Sequence, residues 1–289
     1  MAKKPLKKQD PSTTGHSWDG IEEFNNPLPK WWLWIFYACI VWAIWYTIAY
    51  PAWPGIKSAT AGYAGFSTRA QVAEEIDRVN AQNEAINTKL ASVELTEIAQ
   101  DEELLTYANS AGGAVFKTWC AQCHGSGAAG ATGGYPNLID DDWLWGGDIE
   151  AIHTTISHGI RSEDDEDTRF NDMAAYGRDE LLEPEEIEQV VNYVLSLSGE
   201  AKDVSMVEAG AVVFDDNCSS CHAEGGVGDP DQGAPNLADA IWLYGGSYDE
   251  VMETVVNGRG GVMPSWTSRL SESQIRAVAT YVHTRGGGQ

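Results

Sequence analysis

Two stretches of this 289-residue chain combine thiol and imidazole side chains at a spacing that does chemistry: Cys120-Ala121-Gln122-Cys123-His124 and Cys218-Ser219-Ser220-Cys221-His222. Each reads C-x-x-C-H, the attachment pattern of a c-type haem. Two thiols two residues apart reach two vinyl groups on one porphyrin edge, and the adjacent imidazole comes under the iron as its fifth ligand. A zinc site would gather four ligands, whereas each stretch offers three. A thioredoxin-like thiol pair needs a βαβ context, and none is visible around either motif. The pattern predicts two covalently bound haem c groups on Cys120, Cys123, Cys218 and Cys221, with His124 and His222 as iron ligands.

Each iron then needs a distal ligand. Gly261-Val262-Met263-Pro264 offers a thioether in a Gly-rich loop, and a soft, neutral donor raises the potential of the iron. Met252 is its rival but falls inside a predicted helix over 248–256 and reads as core. In the first half the only methionine is Met173. Each methionine is assigned to the motif of its own half, Met173 to the first iron and Met263 to the second. His153 and His158 stay open as alternatives to Met173, since bis-His haems exist. Alignment of the halves puts both at helix or helix-end positions. The run Glu163-Asp164-Asp165-Glu166-Asp167 precedes Met173, either as a solvated loop or as an attractor for a basic electron donor.

The elements that must position these groups occur twice. Gly112-Gly113-Ala114-Val115-Phe116, the first motif, Pro136-Asn137-Leu138 and Trp143-Leu144-Trp145-Gly146-Gly147 are matched in the second half. Their counterparts are Gly210-Ala211-Val212-Val213-Phe214, the second motif, Pro235-Asn236-Leu237 and Trp242-Leu243-Tyr244-Gly245-Gly246. Each Phe lies one helical turn before its first Cys, where it can stack on the haem edge. Apolar residues at helical spacing predict a terminal helix in each half, over 185–197 and 272–284. The order of helix, motif, loop, ligand loop and terminal helix resembles class I cytochrome c domains. That resemblance implies that the carbonyls of Pro136 and Pro235 orient the proximal imidazoles.

Upstream, residues 31–50 form an uncharged apolar run long enough to cross a bilayer, with Trp and Tyr at both ends. Tyr50-Pro51-Ala52-Trp53-Pro54 fits signal cleavage poorly, so the run reads as a retained transmembrane anchor. Lys3, Lys4, Lys7, Lys8 and Lys30 flank it on the N-terminal side, which keeps that side cytoplasmic and the haem domains periplasmic. Residues 67–106 look helical. The net charge of −25 is uneven, with 13 basic against 39 acidic residues after the anchor. Such a field repels nucleic acid and attracts basic proteins.

The block His16-Ser17-Trp18-Asp19-Gly20 through Pro27-Leu28-Pro29-Lys30-Trp31-Trp32 resembles the start of the di-haem subunit III of cbb3-type cytochrome c oxidases. Tyr50-Pro51-Ala52-Trp53-Pro54-Gly55 and the two haem segments are similar to that family too. The resemblance implies an electron-transfer subunit with no catalytic centre of its own, located in the bacterial inner membrane. It would accept electrons from a cytochrome c and pass them to the mono-haem subunit and the haem–copper subunit. A free-standing membrane shuttle and a di-haem peroxidase are the competing functions. The expected fold is mainly α: a cytoplasmic tail (1–30), one transmembrane helix (31–53), a helical spacer (54–104) and two tandem class I cytochrome c domains (105–199 and 200–289).

Overall fold

A computed structural model describes residues 12–131, 133–199 and 201–286. Lys3, Lys4, Lys7 and Lys8, on which the predicted orientation rests, lie outside these residues. The chain divides into two compact units, Met1–Gln82 and Asn83–Gln289.

In the first unit the supposed polar tail contains an antiparallel hairpin, β1 (Thr13–Trp18) and β2 (Ile21–Phe24), with every residue exposed. Asp19 and Gly20 both have positive φ (51° and 81°), the turn that matches strand twist, and Asp-Gly is its usual sequence. Helix α1 (Lys30–Ala49) follows and buries only Ala49. Its 20 residues rise about 30 Å, the thickness of a hydrocarbon core. Its outward-facing apolar side chains suit lipid contact. Pro51 and Pro54 end the helix, and Trp53 N donates to Thr60 Oγ1 at 3.1 Å in the turn beyond.

Helix α2 (Thr68–Ser92) stops earlier than the periodicity suggests. A 3₁₀ turn (Leu95–Gln100) separates it from α3 (Glu102–Val115), whose N-terminus is capped by Asp101 accepting from Leu104 N at 3.0 Å. Leu90, Ile98 and Leu104 are buried at this corner. A widened π-type turn (Phe116–Cys120) carries α3 into α4 (Ala121–His124), and the first motif spans their junction. Then come α5 (Ile149–His158) and α6 (Pro184–Leu197), followed by α7 (Val207–Asn217) and α8 (Ser219–His222) with the second motif. Helices α9 (Tyr248–Asn257) and α10 (Glu272–His283) complete the chain. Both terminal helices therefore form where expected.

Their partners are not the expected ones. Helix α3 packs on α10, and α6 packs on α7 and α9. One core gathers Phe116, Ile152 and Ile156 with Trp266, Ile275 and Val278. The other gathers Val190, Val191 and Val194 with Phe214, Val251 and Val255. Residues 105–199 and 200–289 are repeats in sequence, but they do not close separately. Each contributes its first helix, motif and middle helix to one core, and its methionine loop and terminal helix to the other. The contacts repeat with near two-fold symmetry. A Cβ at Gly112 would overlap the backbone of Ala277, and one at Gly210 would overlap that of Gln189. Tyr281 and Tyr193 cover the same two glycines. Close approach at a helix crossing requires residues without side chains there.

The short path from α6 to α7 explains the pairing. Asn192, almost fully buried, accepts from Asp203 N at 2.7 Å through Oδ1 and donates to Glu188 O at 2.9 Å. It folds the connection back so that neighbours in sequence become neighbours in space.

Candidate functional site

Both proximal histidines are held alike. The Nδ1–H of His124 donates to Pro136 O at 3.0 Å, and that of His222 donates to Pro235 O at 3.0 Å. Because a carbonyl only accepts, each ring must carry its proton on Nδ1, which leaves the Nε2 lone pair for a metal. Burial pushes both imidazoles below their usual pKa, with the prolyl hydrogen bond opposing. Neutral rings are what iron ligation requires. None of the four motif cysteines is paired in a disulfide. Burial, reinforced by the neighbouring thiol, pushes Cys120 and Cys218 up to about 11.

The methionine loops do not pack beside the motifs of their own halves. Met263, assigned to the second motif, packs against the core that contains Phe116 and Cys120. Met173, assigned to the first motif, packs against the core that contains Phe214 and Cys218. It also lines a cavity of about 580 Å³ together with Tyr176, Phe214, Cys218, Cys221 and His222. Both loops are pinned in the same way. Trp266, three residues past Met263, lies 5.7 Å from Trp119, its ring tilted 59° to it, and Trp119 precedes Cys120. Tyr176, three residues past Met173, donates its hydroxyl to Asn217 O at 2.6 Å, and Asn217 precedes Cys218. Asn171 Nδ2 adds a 2.8 Å bond to Gln232 O in the loop after the second motif.

The crossing happens just after α5 and α9. Gly159 and Gly258 end these helices in the left-handed region (φ 71° and 68°). A Cβ on Gly159 would overlap Met263 O, and one on Gly258 would press on Met173 O. Beyond Gly159, Ile160 exchanges two backbone hydrogen bonds with Met263, at 2.9 and 3.0 Å.

The other candidates have different roles. His158 bonds Asp165 at 3.1 Å, and His153 bonds Glu272 at 3.1 Å. Both are engaged with carboxylates rather than aimed at a motif. Met252 packs in the second core, as read from its helix. Phe116 is fully buried 5.5 Å from Tyr281, and Phe214 lies 5.1 Å from Tyr193.

Two thiols, a neutral imidazole with one nitrogen already bonded, a thioether and an apolar slot are the donor set that haem c takes. The arrangement fits that group in both halves. Comparison with known families agrees. The family described as cytochrome c oxidase, cbb3-type, subunit III matches residues 108–194 and again 205–282. The N-terminal domain of cytochrome oxidase-cbb3, FixP, matches residues 10–57. The chain is 57% identical to a cbb3-type cytochrome c oxidase subunit CcoP of Cereibacter sphaeroides over 291 residues, covering 100% of both chains. It is 56% identical to a CcoP of Rhodobacter capsulatus over 298 residues, again with 100% of both covered. It is 51% identical to a subunit FixP of Azorhizobium caulinodans over 280 residues, covering 96% of this chain and 94% of the other.

Proposed function

The chain belongs to the family of cbb3-type cytochrome c oxidase subunit III, and from that premise we propose how it conducts electrons. It is a single-pass membrane subunit of a haem–copper oxidase, with two covalently bound haem c groups. Cys120 and Cys123 would hold the first haem, and Cys218 and Cys221 the second. In this reading His124 and Met263 would hold the first iron, and His222 and Met173 the second. The observation that carries this crossed assignment is the pinning of each methionine loop beside the opposite motif, through Trp266 on Trp119 and Tyr176 on Asn217.

Haem c supplies a one-electron ferric–ferrous couple when bound. The chain's own residues tune and enclose it. Pro136 and Pro235 fix the imidazole tautomer and raise ring basicity. The thioethers favour the reduced iron. With an imidazole and a thioether holding each iron, neither site would offer a place for substrate, and the bond-making step of the oxidase would fall to another subunit. Electrons enter from a cytochrome c donor and leave toward the mono-haem subunit and the haem–copper centre. The N-terminus is cytoplasmic and the haem-bearing part periplasmic, in keeping with the lysine-rich flank and with haem attachment outside the cytoplasm.

The test uses the full chain with Cys218→Ala and Cys221→Ala, which leaves only the first haem attached. Met263→Leu in that background should abolish the methionine-to-iron charge-transfer band and let the ferrous haem bind carbon monoxide. Met173→Leu should do neither. The reverse pattern would restore the uncrossed assignment.

A further inference from the structure

Arg161 stands at the crossover, two residues past Gly159, with its own backbone in the left-handed region (φ 52°). Its side chain is only 18% exposed. Nε donates to Gly261 O at 2.8 Å, and Nη1 donates to Asn171 O. Gly261 is two residues before Met263, and Asn171 is two residues before Met173. A single guanidinium therefore binds the same backbone position in both distal loops. Asp172 Oδ1, 3.6 Å from Nε, offsets the charge.

The repeat explains why there is one such residue and not two. Counting from the equivalent helix-ending glycines, Gly159-Ile160-Arg161 matches Gly258-Arg259-Gly260, so Arg161 corresponds to Gly260. These two positions meet. A Cβ on Gly260 would lie 3.3 Å from Arg161 Nε and 2.9 Å from Asp172 Oδ1. Near a two-fold axis, two equivalent residues compete for one space, and only one can carry a long side chain. Arg259, the nearest alternative, is occupied elsewhere. Its guanidinium lies 5.0 Å from the Tyr244 ring, and its Nη1 donates to Tyr244 O at 3.4 Å. Arginine suits the axial place because its donors leave a rigid plane in different directions, whereas a lysine carries all of its donors on one atom.

We propose that Arg161 is a positioning residue shared by both distal methionines, so that one side chain sets the axial ligation of both haems. The inference rests on Met173 and Met263 being the distal ligands, but not on which iron each one serves. Removing the guanidinium frees two loops at once. Both thioethers then leave their irons part of the time, and both sites become open to an external ligand.

The experiment uses the full chain, purified from membranes with both haems attached, and the variants Arg161→Gln and Arg161→Lys. The readouts are the methionine-to-iron charge-transfer band, carbon monoxide binding by the ferrous protein, and both reduction potentials. Met173→Leu and Met263→Leu serve as references that open one haem each. If either reference leaves the charge-transfer band intact, the ligand assignment has failed, not the role of Arg161. With valid references, Arg161→Gln should weaken the band, raise the carbon monoxide-reactive fraction several-fold and lower the potential at both haems. Arg161→Lys should fall between Gln and the parent at both. A change confined to one haem, or none in a variant that retains both haems, overturns the proposal. If neither variant accumulates with two haems attached, Arg161 serves folding rather than ligand positioning, and the proposal also falls.

Discussion

Asp142 illustrates how the crossed packing loads single residues. It is half-buried, and that burial pushes its carboxyl up to about 6, with Asp239 and Asp140 adding repulsion. Asp239 belongs to the corresponding turn of the other half, so part of the strain arises only because the two halves meet. A raised carboxyl pKa means that the folded protein binds more protons than the unfolded chain between about pH 4 and 6. Stability from this group is therefore present at low pH and lost as pH rises through 6. Asp142→Asn should raise the thermal midpoint at pH 7.5 and leave it nearly unchanged at pH 4; an equal gain at both would refute the electrostatic account. The chemistry of the sites was legible because it depends on residue type at short spacing. Cys120, Cys123, His124 and their counterparts announce themselves, and Pro136 and Pro235 followed from family resemblance. The crossed packing of the Met173 and Met263 loops was not legible, because both halves carry the same local signals. Arg161 gave no signal at all, since its role depends on two loops that approach only in the folded chain.

At the level of elements, the apolar periodicity located α6 and α10 to within a residue or so, but carried no information on which helix each packs against. The reason is that the repeats are interchangeable at this resolution. Gly112 on α3 accepts Ala277 and Tyr281 of α10 just as Gly210 on α7 accepts Gln189 and Tyr193 of α6. A glycine notch opposite a tyrosine is the same complement whichever half supplies it. Chain connectivity breaks the tie, because the turn held by Asn192 lays α6 on α7 and leaves α3 for α10. The notch itself is testable. Gly112→Ala forces a methyl group against a helix backbone, and overpacking of this kind costs about 1–3 kcal/mol. It should lower the unfolding midpoint of the full chain, while Gly127→Ala, where nothing lies within 4 Å, should not. Equal effects would mean that the α3–α10 contact is loose. The hairpin β1–β2 was missed for a simpler reason: the Asp19-Gly20 turn signal was present but its flanking strands bury nothing.

For the whole molecule, charge is the dominant long-range property. A net charge of −25 focuses attraction on basic partners, and the loop at 163–167 adds five acids in sequence. Reduction of the chain by a basic cytochrome c should slow steeply as ionic strength rises, because the screening length falls to about 8 Å at physiological salt. A flat response in stopped-flow rates would remove electrostatic docking from the account. The exchange of α6 and α10 also governs the order of assembly. In the proposed orientation the N-terminus stays behind and the part after the anchor emerges from its anchor end, so Cys120–His124 is delivered early, but the helix that covers that motif's core is the last element to emerge. The first haem site therefore cannot shut until translocation is nearly complete, and loop closure across most of the exported segment makes that a late event. Until then the first thiol pair belongs to an open core, accessible to whatever attaches the porphyrin. The same interlock that finally seals the first haem gives the attachment machinery its window.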